Sequence, residues 1–179
     1  MERLEMSLIV IDPGHGGEDP GAVANGMQEK ELNLNIALEM KNLLDKAGLS
    51  VLLTREQDET LSLGKRVAIA NNEKASLFLS VHCNASTNPL ANGLEVFHYP
   101  QSSSGKKLAT SLSESLSLLG RKMRGVSEEK FYVLKHSHMP ACLVECGFIT
   151  NPEEGVWIKS HISEIAEALA QGIRNWEFI

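Results

Sequence analysis

The sequence predicts an α/β fold built on a largely parallel sheet. Apolar runs of strand length alternate with segments of helical period, which is the pattern of strand–helix–strand units. Three of the apolar runs lead directly into residues that carry chemistry. Leu8-Ile9-Val10-Ile11 runs into Asp12-Pro13-Gly14-His15-Gly16-Gly17, Leu77-Phe78-Leu79-Ser80-Val81 into His82-Cys83-Asn84, and Ala141-Cys142-Leu143-Val144 into Glu145. An open α/β sheet places its ligands in the crevice outside the carboxyl ends of its strands. Two strand-end histidines and a strand-end carboxylate therefore point to a metal site.

Strand one spans about Ser7 to Ile11, and a glycine-rich loop follows from Gly14 to Gly26. From Glu29 to Ala47, Leu32, Ile36, Met40, Leu43 and Leu44 form one apolar stripe at helical spacing, and Gly48 ends it as a C-terminal cap residue. Ser50 to Thr54 is the second strand. Thr60 or Ser62 caps a helix to about Asn72, with Leu63, Val67 and Ile69 or Ala70 inward. Ser76 to Val81 and Gly93 to Tyr99 are the third and fourth strands. The polar loop Gln101-Ser102-Ser103-Ser104-Gly105 leads to a helix from about Lys106 to Leu119, with Leu108, Leu112, Leu116 and Leu119 on one face. Leu119 to Lys130 reads as the most mobile loop, Phe131 to Leu134 as a short strand, and Ala141 to Glu145 as a strongly apolar one. Pro152 opens a short helix at its first position, and His161 to Trp176 is the closing helix. The loops Gly14 to Gly26 and Cys83 to Asn92 follow the histidine-bearing strands and are expected to wall a cleft.

At 179 residues the chain fits one domain with a sizeable core, or at most two small ones. Its apolar fraction of 42% and charged fraction of 22% are ordinary for a globular protein in water. The net charge of −6 argues against a nucleic-acid partner, because a phosphate backbone asks for clustered Lys and Arg. The densest basic stretch, Arg121-Lys122-Met123-Arg124, sits beside Glu128 and Glu129 and reads as a solvated loop or helix end. No apolar run reaches the length of a membrane span, and no signal-peptide core precedes the first strand. The expected form is a soluble, monomeric piece whose residues 1–6 are a linker. Cys142 and Cys146 share a face of one strand roughly 13 Å apart, too far for a disulfide. With Cys83 they read as buried small hydrophobes.

Zinc in a hydrolytic site takes three protein ligands and keeps one position open. His15 and His82 meet at one edge of the sheet if strands one and three are neighbours. The third ligand is another His or a carboxylate close in space. Glu29, at the start of the first long helix, is the best placed, with Glu31 two residues away. An acidic residue there is equally favoured by the helix dipole, so spacing leaves both readings open. Glu145 follows an apolar strand, where unpaired burial of a carboxylate is costly. It serves either as a general base with a pKa raised by desolvation, or as a cap for the loop Gly147-Phe148-Ile149. His98 reads as a satisfied sheet residue and His161 as exposed. His136 and His138 flank a polar turn, with His138 in reserve for a substrate contact.

These residues resemble the zinc-dependent N-acetylmuramoyl-L-alanine amidases of the type-3 family, which are cell-wall hydrolases. The likeness runs from about Leu8 to the closing helix. Its pieces are Val10-Ile11-Asp12-Pro13-Gly14-His15-Gly16-Gly17 with Asp19 and Gly21-Ala22, then Glu29-Lys30 and Asn33-Leu34 to Ala37. Thr54-Arg55, Asp58, Leu63, Arg66 and Ala70-Asn71 follow, then Ser80-Val81-His82-Cys83-Asn84-Ala85 and Gly93-Leu94-Glu95-Val96. The last piece runs from Pro140 through Glu145 to Asn151. The resemblance implies one zinc ion held by His15, Glu29 and His82, and Glu145 as the catalytic carboxylate. It implies a single domain over residues 1–179, with a twisted, mostly parallel sheet of about six strands and helices on both faces. It implies hydrolysis of the amide between N-acetylmuramic acid and L-alanine in peptidoglycan, outside the cell or in its wall, with the export signal upstream of this chain. Arg66 and Asn84 are expected to help position the substrate. The competing readings are a zinc peptidase cutting within the stem peptide and a catalytically inactive wall-binding module.

Overall fold

The computed structural model describes residues 8–177, so the linker expected over residues 1–6 and the start of strand one at Ser7 lie outside the described residues. The chain order is β1 (Leu8–Pro13), β2 (Val23–Ala24), β3 (Met27–Gln28), α1 (Glu29–Lys46), β4 (Ser50–Leu53), α2 (Leu63–Asn72), β5 (Leu77–Asn84) and β6 (Leu94–His98). It continues with α3 (Ser103–Ser117), β7 (Met123–Glu128), α4 (Tyr132–His136), β8 (Ala141–Phe148), α5 (Pro152–Ser160) and α6 (Ile162–Glu177). Six strands form one sheet in the order β4-β1-β5-β8-β6-β7. All neighbouring pairs are parallel except β6 against β8. β1 and β5 are neighbours, as a shared site for His15 and His82 requires.

The strand period of two sorts side chains to two faces. On one face, Ile9, Ile11, Leu79, Val81, Cys142, Val144 and Cys146 join the buried stripes of α1, α3 and α6. On the other, Val10, Phe78, Ala141 and Leu143 pack against Val67 and Ala70 of α2 and Val133 and Leu134 of α4. This second helical layer is thin. Asp12, Ser80, His82 and Glu145 continue the same alternation on that face, toward the strand ends, so the polar residues collect there. All three cysteines are free and buried.

The helix boundaries follow local chemistry. Ser62 caps α2 by accepting from the Lys65 amide, Ser102 caps α3 through the Gly105 amide, and Asn151 accepts from Glu153 and Glu154 ahead of Pro152. Thr60 instead accepts from the Glu18 amide and ties the His15 loop to this segment. After α1 the Gly48 amide donates to Asp45 and the Leu49 amide to Leu44, closing the helix as expected.

Two segments differ from expectation. Leu119 to Lys130 is not simply a loop, because Met123–Glu128 pairs with β6 as the sheet's edge strand β7. Its sequence, MRGVSE, is half polar because an edge strand faces solvent along one side. Phe131 to Leu134, read as a short strand, instead starts α4: Phe131 is the residue before the helix, and Val133 and Leu134 enter the thin layer. Leu63, expected inward, is 54% exposed at the start of α2.

Candidate metal centre and catalytic cleft

His15, Glu29 and His82 converge. One ligand atom from each lies within 4.8 Å of the others. His15 follows β1, Glu29 opens α1, and His82 lies near the end of β5. The Glu29 carboxylate sits between the rings, with Oε2 3.1 Å from His15 Nε2 and Oε1 3.0 Å from His82 Nδ1. The same carboxylate accepts from the amides of Ala22 and Cys83 and from Asn33 Nδ2, which fixes its orientation. His15 Nδ1 lies 2.8 Å from Asp19 Oδ2, so Asp19 orients the ring and leaves Nε2 facing the cluster.

His15 holds a left-handed backbone, φ 62°. Three ties keep it there: Arg66 Nη2 donates to the His15 carbonyl, the Gly16 amide pairs with the Asp19 carbonyl, and the Gly14 amide donates to Val81. Gly14 is needed for space. A Cβ there would lie 2.2 Å from Cε1 of His82. Gly14→Ala is therefore expected to push the imidazole out of the cluster, costing about 1–3 kcal/mol of stability. It should weaken divalent-metal binding by more than it weakens the fold, which thermal melts with and without added zinc will separate.

The electrostatics suit a cation. Burial opposes charge on His15, yet the hydrogen bond and charge of Glu29, and then those of Asp19, hold its pKa up at about 9. Burial also opposes ionisation of Glu29, but the hydrogen bonds and charges of His15 and His82 keep it well below the usual carboxylate range. Glu145 lies within β8, in register with His82 on β5 and with Glu95 on β6. Part of the residue is exposed, but Oε2 is buried without a hydrogen-bond partner. Burial and the negative charge of Glu29 push the Glu145 carboxyl well above its usual range; His15 opposes this and Glu95 adds to it. A β-bulge follows Glu145, where β8 spends one residue more than β5 before Asn84 pairs with Phe148. The loop beyond is capped by Glu154, which accepts from Phe148 N and Gly93 N. The capping role weighed for Glu145 thus falls to Glu154.

The cluster opens into a cleft of about 550 Å³ that also exposes Glu145. The Gly14 to Asp19 stretch forms one side as expected. The others are Thr60 to Leu63 and Phe131 to Val133, in place of Cys83 to Asn92.

A family profile for N-acetylmuramoyl-L-alanine amidases matches residues 9–175, nearly the whole chain. The chain belongs to the N-acetylmuramoyl-L-alanine amidase family. It is 40% identical over 169 residues to the N-acetylmuramoyl-L-alanine amidase LytC of Bacillus subtilis, a match covering 92% of this chain and 34% of LytC. The chain thus spans about a third of that relative's length. The amidase AmiC2 of Nostoc punctiforme superposes with a TM-score of 0.93 at 37% identity, covering 97% of this chain and 98% of that one. The catalytic domain of CwlV from Bacillus (Paenibacillus) polymyxa gives 0.92 at 33% identity, covering 97% and 99%.

Within this amidase fold the expected site residues separate into two groups. His15, His82 and Glu145 share one cleft, with Glu29 buried behind the two histidines. Arg66 also lines it, but its guanidinium is buried and committed to Asp12 Oδ1 and to the carbonyls of Leu61, Pro13 and His15. Its visible work is to hold the His15 loop. Asn84 is at the end of β5, with Oδ1 on the Ala85 amide and its carbonyl on the Ile149 amide. His138 is exposed beyond α4, its amide bonded to Asn71, and it does not line the cleft. Of the other histidines, His98 is buried on the Tyr99 carbonyl, and His161, expected exposed, is half-buried and stacked on Trp157.

Three supporting residues had no role assigned from sequence. Asp12 accepts from Thr54, Ser80 and Arg66 and knits β1, β5 and the residue following β4 to α2. Arg55 is buried, donating to the carbonyls of Pro13, Gly14 and Lys30. Asn33 bridges Glu29 and the Gly14 carbonyl. The available signal was a polar residue at an inward helical position, which Asn33 is, one turn after Glu29.

Proposed function

We propose that this chain hydrolyses the amide between N-acetylmuramic acid and L-alanine in peptidoglycan, with one zinc ion held by His15, Glu29 and His82. Family membership supports the bond. The observation that carries the chemistry is the cluster itself, two imidazole nitrogens and an ionised carboxylate oxygen within 4.8 Å, beside a buried carboxyl oxygen without a partner. This donor set fits zinc, which takes nitrogen and carboxylate ligands and in hydrolases keeps an open position. Such an ion supplies Lewis acidity, polarising an amide carbonyl and lowering the pKa of water.

Glu145 is the base in this scheme. Burial and the charge of Glu29 raise its pKa, and positive charge in the cluster one strand away favours its ionised form, as His15 already does. As a carboxylate it accepts the proton of the attacking water and returns it to the departing alanine nitrogen. Asp19 keeps the proton of His15 on Nδ1. Asn33 and two backbone amides keep Glu29 aimed between the rings.

Mass spectrometry of digested cell walls tests the bond. Intact stem peptides with a free L-alanine amine are expected; cleavage within the stem would show a peptidase, and undigested walls an inactive binding module. The site belongs outside the cell, in its wall, where this substrate lies. Among the described residues no helix is long and apolar enough to cross a membrane.

The pH dependence has a definite sign. The His15 pKa rises from its usual 6.5 to about 9 in the metal-free fold. Its stabilising effect is complete below about pH 6.5 and is lost as pH climbs through about 9. A metal ion must displace this proton. Zinc uptake is therefore expected to release protons and to tighten from pH 6 to 9, as competition titrations against a chromophoric chelator will show; an affinity flat over that range would contradict the assigned ligand.

A further inference from the structure

We propose that Phe131 and Tyr132, with Leu63 opposite, form a platform that stacks against the sugar ring on the glycan side of the scissile bond; this rests on the amidase reading above. The chain has five Phe and two Tyr, and two of these stand side by side on the surface where α4 begins. Phe131 is 36% exposed and Tyr132 45% exposed. Both line the cleft that holds His15, His82 and Glu145.

The two rings are braced. Phe131 meets Phe97 of β6 edge to face, centroids 5.4 Å apart at 90°, and Tyr132 lies 4.2 Å from the His136 ring one turn on. The Tyr132 hydroxyl reaches over the first turn of α2 at Gly64, beside the exposed Leu63. Adjacent aromatic faces left in water inside a cleft are a surface that a ligand with an apolar face can cover. Fixed rings lose little freedom when they do bind.

Charge selects the occupant. Arg66 is the one Lys or Arg side chain among the described cleft-lining residues, and its nitrogens are already bonded to Asp12 and to backbone carbonyls. Asp12, Asp19 and Glu145 supply carboxyl groups. Among the described residues the walls therefore offer no free Lys or Arg to the carboxylates of a stem peptide, and the positive charge of the cleft is confined to the His15–Glu29–His82 cluster, where the scissile amide must lie. An N-acetylated saccharide is neutral, carries an acetyl methyl group and presents C–H bonds on its ring faces, which complements aromatic and leucine surface.

Two measurements test the platform with the full chain. Saturation-transfer NMR with a peptide-free disaccharide of N-acetylglucosamine and N-acetylmuramic acid, its lactyl carboxyl capped as the methylamide so that the probe is neutral, reads sugar binding separately from turnover. Signal from the sugar protons is expected with the unmodified protein and with Tyr132→Phe. It should fall at least about tenfold with Phe131→Ala or Tyr132→Ala. Unchanged signal in the alanine variants, or no signal with the unmodified chain, overturns the proposal.

The second measurement compares kcat/KM on a muramyl peptide and on an N-lactoyl-L-alanyl peptide that lacks the sugar. Tyr132→Ala should lose about tenfold on the first and little on the second. Equal losses on both, or none on either, count against the platform. If the unmodified enzyme cuts neither peptide while disaccharide binding still depends on Tyr132, the platform stands and the amidase assignment falls.

Discussion

Glu145→Gln is expected to reduce wall hydrolysis by about 10²- to 10⁴-fold, the range over which a positioned acid–base group acts. The amide keeps the shape of the side chain and removes its capacity to take a proton. The residue lies in β8 between Val144 and Cys146, both buried, and the substitution adds no bulk to that strand. Stability should rise slightly if it changes, because a carboxyl whose pKa is pushed up by burial is replaced by a neutral group. Zinc content should be unchanged, since the three convergent donors come from other residues. The informative combination is therefore full zinc, an intact fold and lost turnover. A Glu145→Gln protein that digests walls at the unmodified rate would remove Glu145 from the mechanism.

Loss of Glu29 should have the other large effect. Its carboxylate touches both histidines and takes hydrogen bonds from two backbone amides. Glu29→Ala removes the only oxygen donor of the cluster and leaves the amides of Ala22 and Cys83 without their acceptor, at about 1–3 kcal/mol each where they are buried. Loss of a partner that merely orients a ligand typically costs about 10- to 100-fold in metal affinity, and loss of a ligand should exceed that. Purified Glu29→Ala protein is expected to hold well below one equivalent of zinc by atomic absorption and to leave walls intact. Chelation of the unmodified protein should reproduce the inactivity, and stoichiometric zinc should reverse it. Full zinc occupancy in Glu29→Ala would mean that the ion sits elsewhere.

Much of this centre is legible in one dimension because parallel sheets give strand ends a meaning. Three apolar runs end beside His15, His82 and Glu145, and the pairing of β1 with β5 and β5 with β8 carries those residues to one place. Glu29 is different. Its spacing to either histidine follows no local signature, and the dipole of α1 explains an acidic residue there equally well. The resemblance to a family singled it out, and the folded chain shows the reason. A ribbon of two short strands turning at Asn25 and Gly26 brings the first residue of α1 back beneath the His15 loop.

The misread segments fail for a physical reason too. MRGVSE is too polar to read as a strand from its own composition, and only its partner β6 makes it one. Phe131 and Tyr132 carry strand-like propensity, but α4 forms because Val133 and Leu134 gain burial against β8 and α2. Arg66 shows the same limit from the other side. An arginine in a motif looks like a substrate contact until its guanidinium is seen bonded to Asp12, Pro13 and His15.

The sequence by itself determined the α/β class, the order of most strands and helices, and the strand ends that carry His15, His82 and Glu145. Those follow from periodicity and from residue chemistry, which are local. Tertiary structure alone decided that Glu29 bridges the two rings, that Glu145 keeps a buried oxygen without a partner, and that Phe131 and Tyr132, where α4 begins, wall the cleft. Each of these depends on a distance between residues far apart in the chain, set by how the strands pair and which helix covers them.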